Sequence, residues 1–110
     1  MAFSKEVSNR IKTSLEYFPD AFTEKRMFGG VVFLYKGKMT VGVIKNDLMV
    51  RIIDSKIDDE LKKEFVRPMN FTGKPMKEFV YVSIDGFKTE EELQYWIELG
   101  FEHAKYKLEK

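Results

Sequence analysis

The amino-acid sequence predicts an α+β fold: a two-layer sandwich in which a mostly antiparallel sheet of four to five strands is covered from one side by three helices. Three observations predict it. Apolar residues recur at helical spacing near both ends of the chain and once in the middle. Between the first two of these stretches lie three short β-branched or aromatic runs joined by two tight turns, the pattern of an antiparallel meander. The order is helix, three strands, helix, one or two strands, helix, and it leaves a sheet face that the helices must cover.

Phe3, Val7, Ile11, Leu15 and Phe18 form one apolar stripe and predict a helix over 4–18. Ser4 suits its N-cap, because a hydroxyl oxygen accepts a hydrogen bond from a free N–H of the first turn. Pro19 ends it, having no N–H and disfavouring helix in the residue before it. Residues 20–24 read as a connector to Lys25-Arg26-Met27-Phe28-Gly29-Gly30. There the glycine pair permits a tight start to the first strand, 31–35, with Met27 and Phe28 as its anchors in the core. Lys36-Gly37-Lys38 is a turn, 39–44 a second strand in which Gly42 marks a bulge or a close contact, and Lys45-Asn46-Asp47 the next turn before a third strand over 48–53.

Ser55 and Asp58 are spaced as a capping box at the start of a short helix with the stripe Ile57, Leu61, Phe65. Pro68 makes 66–71 an edge strand or an extended loop. Thr72-Gly73-Lys74-Pro75 reads as a turn or loop, and 79–84 returns to strand, closed by Asp85-Gly86. Thr89 with Glu92 is a capping box, and three consecutive glutamates complement the positive end of the last helix. Leu93, Trp96, Ile97, Phe101, Ala104 and Leu108 continue that helix to the end of the chain.

Composition bounds the function. The 110 residues are the size of one ordinary domain, and nothing repeats or divides the chain, so 1–110 is expected to be a single domain. A 44% hydrophobic fraction with ten Phe supplies a core, and a net charge of +1 gives no reason to expect nucleic-acid or membrane binding. The charge is uneven: residues 25–77 hold 12 Lys and Arg against 6 Asp and Glu, whereas 78–110 is acidic. With no cysteine there is no disulfide framework and no thiol catalysis. No apolar run approaches the roughly 20 residues of a membrane span, and the N-terminus carries no signal-peptide core. A cytoplasmic protein is expected.

No catalytic set emerges. His103 is the single histidine and is read as a packed or surface residue rather than a ligand or base. Gly29-Gly30 lead into a strand, whereas a phosphate loop leads from strand to helix. Asp58, Asp59 and Glu60 are consecutive on a helix and do not converge, and Glu90, Glu91 and Glu92 are accounted for by capping. The expectation is a non-enzyme with no cofactor and no metal. The candidate binding residues are the cations Arg26, Arg51, Arg67 and Lys74, which would bind a small molecule or anion if they converge. Arg51 stands out because it interrupts the apolar run Met49-Val50-Arg51-Ile52-Ile53 and must reach water, an internal carboxylate such as Asp54 or one on a helix, or an anion.

Several segments together resemble the N-terminal domain family of TfoX (also called Sxy), the bacterial competence regulators. They are Arg26-Met27-Phe28-Gly29-Gly30; Lys36-Gly37-Lys38-Met39; Asp47-Leu48-Met49-Val50-Arg51; Arg67-Pro68-Met69-Asn70-Phe71-Thr72-Gly73-Lys74-Pro75-Met76-Lys77; and Tyr81-Val82 followed by Glu92-Leu93-Gln94-Tyr95-Trp96. The first and fourth are the most specific. The resemblance implies a secretion-chaperone-like α+β domain, here as a stand-alone member without the second, helical domain of full-length regulators. It implies a non-catalytic regulatory domain that acts through a protein partner and supplies no catalytic residues. Edge strands also offer a surface for a homodimer. Weak nucleic-acid binding is the remaining alternative.

Overall fold

The computed structural model describes residues 4–18, 22–27, 29–71 and 74–108. The expected roles of Phe3, Pro19 and Phe28 and the turn at 72–73 lie outside them, as do the side chains of Met27 and Lys74. The described chain runs α1 (Lys5–Leu15), β1 (Thr23–Met27), β2 (Gly30–Tyr35), β3 (Lys38–Ile44), β4 (Asp47–Arg51), α2 (Asp54–Leu61), β5 (Val66–Phe71), β6 (Lys74–Val82), a 3-10 turn (Ile84–Gly86) and α3 (Glu90–Leu108). The strands form one sheet, ordered β1-β2-β3-β4-β6-β5, antiparallel at every pairing.

The sheet thus has six strands among the described residues rather than four to five. The additional strand is β1, whose Thr23 and Glu24 belong to the expected connector and whose Lys25, Arg26 and Met27 belong to the expected entry to the first strand. Thr23, Glu24, Lys25 and Arg26 are all exposed and carry no apolar alternation, so nothing in the segment itself signals a strand. Its conformation comes from pairing with β2, Thr23 opposite Leu34 through Met27 opposite Gly30.

The local helix signals hold at both chain ends. The Ser4 hydroxyl accepts from the Val7 N–H at 3.2 Å. At α3 the capping box is complete: the Glu92 N–H donates to Thr89 Oγ1 at 3.1 Å and the Thr89 N–H donates to Glu92 Oε1 at 3.0 Å. The capping box read at Ser55 does not form. α2 starts two residues earlier than that cap implies, at Asp54, with Ile53 at the N-cap and no side-chain cap. The first turn is tight in the expected way, Lys36 and Gly37 both having positive φ, 50° and 84°.

One face of the sheet supports the helices. Val31, Val41, Val43, Leu48, Val50, Val80 and Val82 pack against Val7, Ile11, Leu93, Trp96 and Ile97. α3 lies over β3 and β4, with α1 at its side and α2 over β5 and β6. Close approach of α3 requires Gly100: a Cβ there would sit 2.5 Å from the Thr40 carbonyl oxygen. Gly42 marks a close contact rather than a bulge, since a Cβ would lie 2.6 Å from the Val31 oxygen. The ladder shifts instead at Phe33/Leu34 and at Pro68/Met69. The face away from the helices carries a smaller buried layer, Val32, Met49, Met69 and Phe79, which the two-layer expectation did not include.

Candidate functional site

The sheet separates Arg26 from the other three cations read from the sequence. Arg26 lies on β1, one edge, and Arg67 on β5, the other. Five strand spacings separate these edges, roughly 24 Å at about 4.8 Å each. Arg26 sits opposite Val31, in the row that faces the helices, while Arg67 sits opposite Tyr81 and Arg51 opposite Phe79, on the other face. Of the three whose side chains are described, Arg51 and Arg67 are brought to a common face. Each is engaged by a carboxylate and an aromatic ring: Arg51 by Glu78 at 3.0 Å and over Phe79, Arg67 by Asp47 at 2.8 Å and over Tyr81. Lys74 opens β6, opposite Phe71.

Arg51 therefore finds an internal carboxylate, but on β6 rather than at Asp54 or on a helix. Glu78 lies in the irregular part of β6. Pro68 pairs with Val80 and Met69 with Met76, so residues 77–79 fall between the partners of two successive β5 residues. The Glu78 carbonyl accepts from the Ile52 N–H at 2.8 Å, which ties this irregularity to the end of β4. Its side chain meets three cationic or protonatable groups: Arg51, His103 at 2.7 Å and Lys107 at 3.6 Å.

His103 is 1% exposed, in keeping with a packed role. A carboxylate only accepts, so Nε2 of the neutral ring carries the proton and donates it to Glu78 Oε2. The Nδ1 atom is buried with no hydrogen-bond partner among the described residues. Burial lowers the His103 pKa, the Glu78 hydrogen bond pushes back, and the nearby Arg51 charge lowers it further. For Glu78, partial burial pushes upward. The hydrogen bonds from Arg51 and His103 and their charges overcome it and hold the carboxyl at about 2. Chemically the cluster is an ion-pair lock between the C-terminal half of α3 and the sheet. No spacing in the sequence announced it, because Glu78 reaches His103 only through the strand irregularity.

The second notable surface is the outer side of the helix layer. Tyr17, just past α1, is 81% exposed, and Tyr95 and Tyr106 on α3 are 42% and 45% exposed. Tyr95 is anchored from below: its hydroxyl donates to Glu60, and Lys63 lies over its ring. Burial raises its pKa, as does the Glu60 hydrogen bond. Three clefts open along α3, one toward α1, one toward α2 and one near its C-terminal end, and Glu98 lines all three. Sequence reasoning missed this surface, although Tyr95, Glu98, Glu102 and Tyr106 share a face at helical spacing.

Among the described residues no group of three or more His, Asp or Glu is placed to hold a metal ion. No helix there is long and apolar enough to cross a membrane. No curated protein and no solved structure matches the chain significantly. The family model of the TfoX N-terminal domain matches residues 15–104, which span β1 through most of α3 and include every strand of the sheet. The chain belongs to the TfoX N-terminal domain family.

Proposed function

We propose that this chain is a non-catalytic regulatory domain that works by docking a protein partner. Family membership supplies the context, since the TfoX N-terminal domain is a domain of the competence-regulator type. The observation that carries the reading is the exposure of Tyr17, Tyr95 and Tyr106 on the outer side of the helix layer. Tyrosine offers a large apolar ring and a polar tip, and it is enriched at protein interfaces for that reason. The candidate cations favour partner docking over anion binding, because Arg51 and Arg67 are held by Glu78 and Asp47 and Arg26 lies at the far edge of the sheet.

The test is quantitative affinity purification of the full chain from its own cells, compared with the double variant Tyr17→Ser, Tyr106→Ser. Both side chains are exposed, so the variant should keep the thermal stability of the parent. A partner enriched by the parent and lost from the variant is expected. Equal recovery of every protein by the two would refute the reading.

A further inference from the structure

We propose that the groove between α1 and α3 receives an arginine- or lysine-rich segment of the partner protein; this names the partner's chemistry and rests on the docking function proposed above. The groove encloses about 470 Å³ and is lined on the α1 side by Tyr17 and on the α3 side by Glu90, Glu91, Gln94 and Glu98. That volume lies within the roughly 300–1,000 Å³ of side-chain and ligand clefts. Three glutamates line it and no lysine or arginine does.

The charges in the groove are unequally used. Glu90 is held by Arg10 at 3.0 Å. Glu91 and Glu98 have no ion pair or hydrogen bond from their side chains among the described residues. Tyr17 likewise makes no ring contact there, and its ring stands 81% exposed beside them. A guanidinium or ammonium group gains from both kinds of neighbour, through the carboxylates by charge-assisted hydrogen bonds and through the ring by cation–π attraction. A phosphate backbone would meet like charge.

The walls are fixed before anything binds. Arg10 of α1 donates to the backbone carbonyl oxygen of Phe87 at 2.7 Å and pairs with Glu90, clamping α1 to the start of α3. Below, Ile11 and Leu15 pack in the main core with Leu93 and Ile97. A pre-formed groove avoids the ordering cost of binding. Its spacing is specific. Glu91 and Glu98 stand seven residues apart on α3, roughly 10.5 Å at about 1.5 Å per residue. Two cations three residues apart in a segment of polyproline II conformation lie on one side and span roughly 9 Å at about 3.1 Å per residue.

Two measurements test the assignment. In the first, the full ¹⁵N-labelled chain is titrated with an acetylated Ser-Arg-Ser-Leu-Arg-Ser peptide and with its Arg-to-Glu counterpart. Amide shifts confined to the groove are expected with the arginine peptide alone. Binding should weaken at least tenfold in Glu98→Lys and in Glu91→Lys, whose thermal melts should match the parent. Shifts centred elsewhere, for example on Asp58 and Asp59 of α2, or affinities unchanged in both variants, overturn the proposal.

In the second, benzoylphenylalanine replaces Tyr17 or, separately, Tyr106, and cross-linked partner peptides from the native cell are sequenced. Cross-links from position 17 to a segment with two or more Arg or Lys within four residues are expected. Cross-links from position 106 alone keep the docking function and overturn the groove. Cross-links from position 17 to a segment without that basic content overturn the basic-segment assignment. Cross-links from neither position overturn both.

Discussion

Glu78 is the residue on which the link between the last helix and the sheet depends. It accepts from Arg51 and His103 and lies 3.6 Å from Lys107, so its loss strands a buried histidine and a half-buried arginine together. Glu78→Gln is expected to cost about 1–3 kcal/mol in urea unfolding, less than a fully buried pair because its side chain is 31% exposed. The pH dependence separates the two titrating groups. The His103 pKa is lowered in the folded state, so the unfolded chain takes up the proton first. Stability should therefore fall as pH drops below about 6.5. The Glu78 pKa is lowered from 4.5 to about 2, so its contribution is present above pH 4.5 and lost as pH falls toward 2. Glu78→Gln should erase the second limb. It should keep or deepen the first, because the Glu78 hydrogen bond is what pushes the His103 pKa upward. Unfolding midpoints taken from pH 8 to pH 2 check both limbs, and an unchanged lower limb in the variant would exclude this role for Glu78.

Packing at the level of elements turns on how closely α3 approaches β3. Gly100→Ala would normally strengthen a helix by up to about 1 kcal/mol. Here the added Cβ would lie 2.5 Å from the Thr40 oxygen and 2.8 Å from its carbonyl carbon, both backbone atoms that cannot turn aside. The clash outweighs the propensity, and a net loss of about 1–3 kcal/mol is expected. Calorimetry should show the melting temperature lowered by about 4–8 °C for each kcal/mol; a rise would mean that α3 shifts to make room. Elements with local specification were legible in the sequence: the caps at Ser4 and Thr89, the Lys36-Gly37 turn and the alternation of β6. Elements specified by partners were not. β1 is a polar segment made a strand by β2, and α2 begins without the Ser55 cap because Asp54 already lies in its first turn. The candidate site divides the same way. Arg51 was legible as a cation in an apolar strand, whereas its partner Glu78 depends on the β5–β6 irregularity. The α1–α3 groove joins residues about 80 positions apart, a long-range packing that no local pattern encodes.

At the scale of the whole molecule, a six-stranded open sheet must deal with two edges, each an unpaired row of backbone donors and acceptors. β5 carries Pro68, which has no N–H to offer, next to the exposed Arg67. β1 has no proline; it presents Thr23, Glu24, Lys25 and Arg26, all exposed. The charges sit on both sheet faces, Glu24 opposite Phe33 and Lys25 opposite Val32, so a strand added at this edge would meet charge whichever way its side chains pointed. This guards the edge while leaving the helix-layer groove, on a different surface, available to a partner. The double variant Glu24→Ile, Lys25→Val should keep β1 paired with β2, since both new residues favour strands. It gives up the Lys12–Glu24 surface pair, worth at most about 1 kcal/mol. With the guard removed, light scattering across a concentration series should show more self-association than the parent shows. A second variant carrying Glu24→Pro with Lys25→Val, which removes a backbone donor facing outward from this edge, should not associate beyond the parent. A Glu24→Ile, Lys25→Val variant whose mass stays equal to the parent's at every concentration would show that something other than these charges protects the edge.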